Sequence, residues 1–116
     1  MEPRAKLFLF SPDAEGLFGD GKWRLLKEIN RQGSIQKAAK TLGRGYRKAW
    51  GDIKRAEHGF GRRLVTKTRG GPSGGSTELT EFGSGLLDAW ERYREEVASC
   101  VNDAYNRHVK GIVEGA

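Results

Sequence analysis

GSIQKAAKTLGRGYRKAW, residues 33–50, is the stretch that decides how this chain folds. Ser34 follows a glycine and is followed by a helix-forming run, the position and residue type of an N-cap. Ile35, Ala38, Ala39 and Leu42 then recur at i, i+3, i+4 and i+7, one apolar stripe on a short helix. The alanines are small, so a second helix can approach closely. Gly43 ends this helix after little more than two turns. A further helix fits RGYRKAWGDIKRAEHGFG and is predicted to end before Gly59. At about 100° per residue, Ala49, Ile53 and Ala56 share one side of it. Arg44, Arg47, Lys48, Gly51 and Arg55 fall on the other, and Tyr46 and Trp50 sit at the boundary, nearer the apolar side. Two short helices joined by one tight glycine turn, the second with a basic outer ridge, is the sequence form of a helix-turn-helix.

Upstream, GKWRLLKEINRQG places Trp23, Leu25, Leu26 and Ile29 at helical spacing, with Asp20 as the expected N-cap and Gly33 as the stop. The segment before it, SPDAEGLFGDG, is rich in breakers and reads as a loop, and KLFLF (residues 6–10) as a short strand. Downstream, RRLVTKT (residues 62–68) and STELT (residues 76–80) are β-rich and flank a glycine-rich tip. That tip is not a phosphate loop of the Walker type, because no Lys-Ser/Thr pair follows its glycines. It reads as the wing of a winged helix-turn-helix. Gly71 and Gly74 let the backbone approach sugar-phosphate, and Arg69 at the base supplies charge to a phosphate or a minor groove.

From Thr80, the expected N-cap, the rest reads as one long helix. Leu79, Phe82, Leu86, Trp90, Tyr93, Val97, Val101, Ala104 and His108 recur three or four residues apart. Gly83 and Gly85 weaken its first turn, by about 1 kcal/mol each. A helix of this length reaches about 40 Å, more than so small a core can cover. Its first half, near Phe82 and Leu86, is expected to pack on the domain. Its second half, with Trp90, Tyr93, Val97, Val101 and Ala104, is expected to pack on a second copy. The fold class is therefore mainly α with a small antiparallel β-sheet: a winged helix-turn-helix over residues 1–80, a dimerisation helix over residues 81–110, and a frayed tail over residues 111–116.

Charge is distributed unevenly. Of the 116 residues, those from 22 to 75 include fifteen basic and three acidic side chains, while both flanking segments are net acidic and the whole carries +6. A basic middle suits a polyanion such as DNA. Arg44, Arg47 and Lys48, read as the first turn of the recognition helix, are placed for base edges. Ser34 and the start of the preceding helix are placed for phosphate, and Lys37 and Lys54 for further backbone contacts. The single cysteine, Cys100, excludes an intrachain disulfide and a cysteine-built zinc site. His58 and His108 stand apart and argue no metal site, and no cofactor is expected. No segment reaches the roughly 18–20 apolar residues of a spanning helix and none resembles a signal peptide, so no membrane partner is expected and the cytoplasm is the expected location. No catalytic Ser/His/Asp set or carboxylate pair argues an enzyme.

Several motifs in order resemble one family: Gly33-Ser34-Ile35, Ala38-Ala39, Tyr46-Arg47-Lys48-Ala49-Trp50, Gly70-Gly71 with Gly74-Gly75, and Leu79-Thr80. They resemble the N-terminal DNA-binding domain of molybdate-responsive (ModE-type) transcription regulators, over about residues 6–97, and through it LysR-type winged-helix domains. The resemblance implies DNA contacts at Ser34, Tyr46, Arg47 and the wing glycines, and dimerisation through the long helix. In that family oxyanion-binding domains follow the long helix. This sequence stops at Ala116, so no oxyanion site is expected within it. The leading expectation is a homodimeric regulator of a palindromic operator in double-stranded DNA. The alternatives are a non-specific architectural DNA binder and a protein-interaction adaptor.

Overall fold

The computed structural model describes residues 1–12, 14–68 and 76–115. Strands β1 (Phe8–Ser11) and β2 (Ala14–Gly19) form an antiparallel pair, followed by α1 (Asp20–Gln32), α2 (Ile35–Thr41) and α3 (Tyr46–Phe60). A second antiparallel pair, β3 (Val65–Thr68) and β4 (Ser76–Leu79), leads into α4 (Glu81–His108) and the short α5 (Lys110–Val113).

The helix-turn-helix forms as its sequence dictates. Gly33 closes α1 at φ 69°, a left-handed conformation that favours glycine, and its N–H reaches the Ile29 carbonyl at 2.7 Å. The Ser34 hydroxyl accepts the Lys37 N–H at 3.1 Å and starts α2. Ala38, Ala39, Ala49, Ile53 and Ala56 are buried, so α2 and α3 approach through small side chains against Leu25, Leu26 and Ile29 of α1. The β3–β4 hairpin is tied to this unit at both ends. Thr77 N–H donates to the Gly33 carbonyl at 2.9 Å. The buried Glu57 carboxylate accepts the N–H groups of Leu64 and Val65.

The structure departs from the sequence reading in several places. The segment read as a loop before α1 contains β2, and β1 begins at Phe8, so the described residues form a second small antiparallel sheet beside that of the wing. Pairing with β1 supplies the hydrogen bonds that make Ala14–Gly19 a strand despite its glycines, and Phe18 enters the core from it. Gly19, not Asp20, is the N-cap of α1; Asp20 is the first helical residue. Helix α3 begins at Tyr46 and runs past Gly59, because Phe60 is held between Phe18 and Phe82 at ring distances of 5.9 and 5.4 Å.

Thr80 caps α4, accepting the Gly83 N–H at 3.0 Å and donating to the Arg63 carbonyl at 2.6 Å. Gly83 is buried where α4 crosses the backbone at Leu64. It therefore permits a close approach, a role the sequence reading did not give it. Beyond α4, α5 adds a helical turn, and Tyr105 Oη donates to Glu114 at 2.6 Å. No helix among the described residues is long and apolar enough to cross a membrane.

Candidate nucleic-acid interface

The buried face of α3 fixes what its other face presents. With Ala49, Ile53 and Ala56 against the core, Arg47 and Lys48 are exposed, and among the described residues no hydrogen bond or ion pair engages either side chain. Arg55, on the same ridge, pairs with Asp52 at 2.6 Å. Arg44 is not in the first turn of α3. It precedes the Gly45 N-cap, is half-buried, and donates from Nη1 to the Gly21 carbonyl at 3.1 Å. It braces the turn against α1, so the helical wheel that grouped it with Arg47 does not extend that far.

Tyr46, read near the apolar boundary, is 42% exposed. Its hydroxyl accepts from Lys67 Nζ of β3 at 2.9 Å. The same ammonium lies 4.5 Å from the centroid of the Trp50 ring, and Lys54 Nζ lies 4.6 Å from that centroid. Lys54 also lies 3.5 Å from the Glu57 carboxylate. Lys67 was missed by sequence reasoning. Strand alternation was the available signal: it puts Lys67 on the same face of β3 as buried Val65, toward α3. Lys37 is exposed on α2, one residue after Gln36, and Ser34 is half-buried with its oxygen committed to the cap. Tyr46, Arg47, Lys48 and Lys54 thus all lie on α3, with Lys54 and Tyr46 gathered around Trp50 and Lys67. Arg69, Gly71 and Gly74 lie outside the described residues.

Along α4 the five residues expected at a dimer interface separate. Trp90 is only 4% exposed within one chain. Its indole meets Phe18 edge-on at 5.0 Å and donates to Asp20 Oδ1 at 3.0 Å. Its surface is thus already used within the chain, unlike that of Tyr93. Leu87, absent from the seam read in sequence, is buried, and its carbonyl accepts from Trp23 Nε1. Tyr93 is exposed, while Val97, Val101 and Ala104 are half-buried. Cys100 is exposed beside them.

Asp20 organises this junction. Its Oδ2 accepts the Leu7 N–H at 3.1 Å and pairs with the Arg94 guanidinium. Burial pushes its carboxyl pKa up. The hydrogen bonds from Arg94, Leu7 and Trp90, with the Arg94 charge, outweigh burial and hold it below its ordinary value.

The family model described as bacterial regulatory helix-turn-helix protein, lysR family, matches residues 21–84, which take in α1 from its second residue, α2, α3, β3, β4 and the first turn of α4. The chain belongs to that family. Individual relatives of this LysR-type chain are ModE proteins. It is 38% identical over 93 residues to the transcriptional regulator ModE of Haemophilus influenzae, covering 77% of this chain and 36% of that protein. It is 32% identical over 90 residues to the molybdenum transport protein ModE of Azotobacter vinelandii, covering 78% and 33%. It is 33% identical over 89 residues to the DNA-binding transcriptional dual regulator ModE of Escherichia coli K12, covering 76% and 34%. The LysR-type chain thus spans about a third of the length of these relatives.

Proposed function

We propose that this chain is a DNA-binding transcription regulator that acts as a homodimer on a palindromic operator. It is not an enzyme on this reading, and its place is the cytoplasm. The observation that carries it is the outer face of α3, where Arg47 and Lys48 are exposed, and uncommitted among the described residues, beside a hairpin tied to the same helix. A helix so faced enters a major groove with its first turn at base edges. Arg47 reads guanine, Lys48 and Lys37 add charge, and the wing residues Arg69, Gly71 and Gly74 meet the backbone alongside.

The family and the regulator relatives support the DNA-binding part of this reading. The homodimer rests on the exposed stretch of α4. The test is selection of bound fragments from genomic DNA, followed by affinity for the selected and a random duplex across a salt series. A regulator keeps a ratio of about 10³ or more between the two. A ratio near one would favour the architectural alternative, which the basic middle segment also permits.

A further inference from the structure

Where α3 meets β3, side chains from both elements converge on one exposed spot outside the base-reading face. Lys67 Nζ donates to Tyr46 Oη at 2.9 Å, and the Trp50 ring lies beneath the same ammonium at 4.5 Å. A phenol oxygen that accepts from an ammonium keeps its own O–H for another acceptor. An ammonium with one N–H engaged keeps two. The pair therefore presents three donors and a positive charge. An anion that only accepts hydrogen bonds is the complement of such a set, whereas base edges in the major groove mix donors with acceptors.

The geometry points to a seat for one backbone phosphodiester of duplex DNA, made by the Lys67 ammonium and the Tyr46 hydroxyl and braced by Trp50. It rests on the reading of α3 as the recognition helix. The Tyr46 O–H and a Lys67 N–H each donate to a non-bridging oxygen, both charge-assisted by the anion. Trp50 holds the ammonium by cation–π attraction, so little side-chain freedom is lost on binding. Because β3 carries Lys67 and α3 carries Tyr46, one phosphate so held fixes the wing and the recognition helix in a common register on the duplex. Lys54 shares the ring, but its charge is already answered by Glu57.

The test uses the full chain, a duplex it selects from sheared genomic DNA, and a random duplex of equal length. Lys67→Met is expected to weaken binding to both by the same factor, about 5–10 near 0.1 M salt. The slope of log affinity against log salt is expected to shrink by about one unit. Lys67→Arg keeps the slope. Tyr46→Phe weakens binding without changing it, and adding Tyr46→Phe to Lys67→Met costs less than the product of the two. Replacing one phosphate at a time by neutral methylphosphonate is expected to find a position that matters to the wild type and not to Lys67→Met. An unchanged slope for Lys67→Met, or a loss confined to the selected duplex, overturns the seat while leaving α3 as the recognition helix. Failure of the wild type to bind either duplex overturns both.

Discussion

At Gly83 the first turn of α4 passes so close to Leu64 that a Cβ would overlap the Leu64 carbonyl oxygen, whereas Gly85 has nothing near the place its Cβ would take. The obstacle at Gly83 is backbone, which cannot rotate aside. Gly83→Ala is therefore expected to destabilise the fold by about 1–3 kcal/mol. Gly85→Ala is expected to stabilise it by about 0.5–1 kcal/mol, through helix propensity alone. Urea midpoints of the two variants, moving in opposite directions, check both. The two arginines flanking the start of α3 separate in the same way. Arg47→Ala is expected to cost about 1–3 kcal/mol of discrimination between selected and random duplex with the melting temperature unchanged. Arg44→Ala removes the hydrogen bond to Gly21 and is expected to cost about 1 kcal/mol of stability first. Gel shifts and thermal melts of the same preparations tell them apart. Sequence periodicity could not divide these pairs. It reports which side of a helix a residue occupies, not where the helix starts or how near another segment's backbone comes.

Among the elements, those built on local rules were legible: α1 to Gly33, α2 from Ser34, both strands of the wing, and α4 from Thr80. Each carries its own cap or alternation within a few residues. The elements that depend on distant partners were not. β2 is a strand because β1 pairs with it, and Phe60 stays helical because Phe18 and Phe82 hold it. Asp20 looked like a cap, yet its carboxylate serves Leu7 thirteen residues back and Trp90 seventy residues on. This junction joins the N-terminal hairpin, α1 and α4, and it carries a pH signature. The folded-state pKa of Asp20 lies below its ordinary 3.8. Its contribution is therefore full above about pH 4 and is lost as pH falls through the depressed value. Urea titrations of the wild type and Asp20→Asn should differ at pH 7, with the wild type more stable. The difference should narrow steadily below pH 4, and a gap constant down to pH 2.5 would remove the carboxylate from this role.

At the scale of the molecule, the described chain measures 61 × 31 × 23 Å with a radius of gyration of 17.4 Å. A globule of this length has a radius near 13 Å. The excess is α4, whose last buried residue is Trp90 although the helix continues to His108. Past that point the apolar side chains still recur: Tyr93 is 43% exposed, Val97 and Val101 are half-buried, and Ile112 on α5 is 84% exposed. A seam that continues at helical spacing after its own core has ended, and that its own chain covers only in part, suits a second copy presenting the same seam. Val101 lies midway along this stretch and is not among the side chains of the core around Phe18 and Trp90 or packed against it. Val101→Glu is therefore expected to leave the melting of the helix-turn-helix unit within a few degrees of the wild type while converting a dimer to a monomer by sedimentation equilibrium. Affinity for a two-half-site duplex should fall about 100-fold or more, because the second half-site then no longer benefits from the effective concentration that linkage provides. Affinity for a duplex holding a single half-site should stay within about twofold. A wild-type chain that sediments as a monomer at tens of micromolar, or a Val101→Glu variant that remains dimeric, would place the interface elsewhere or remove it.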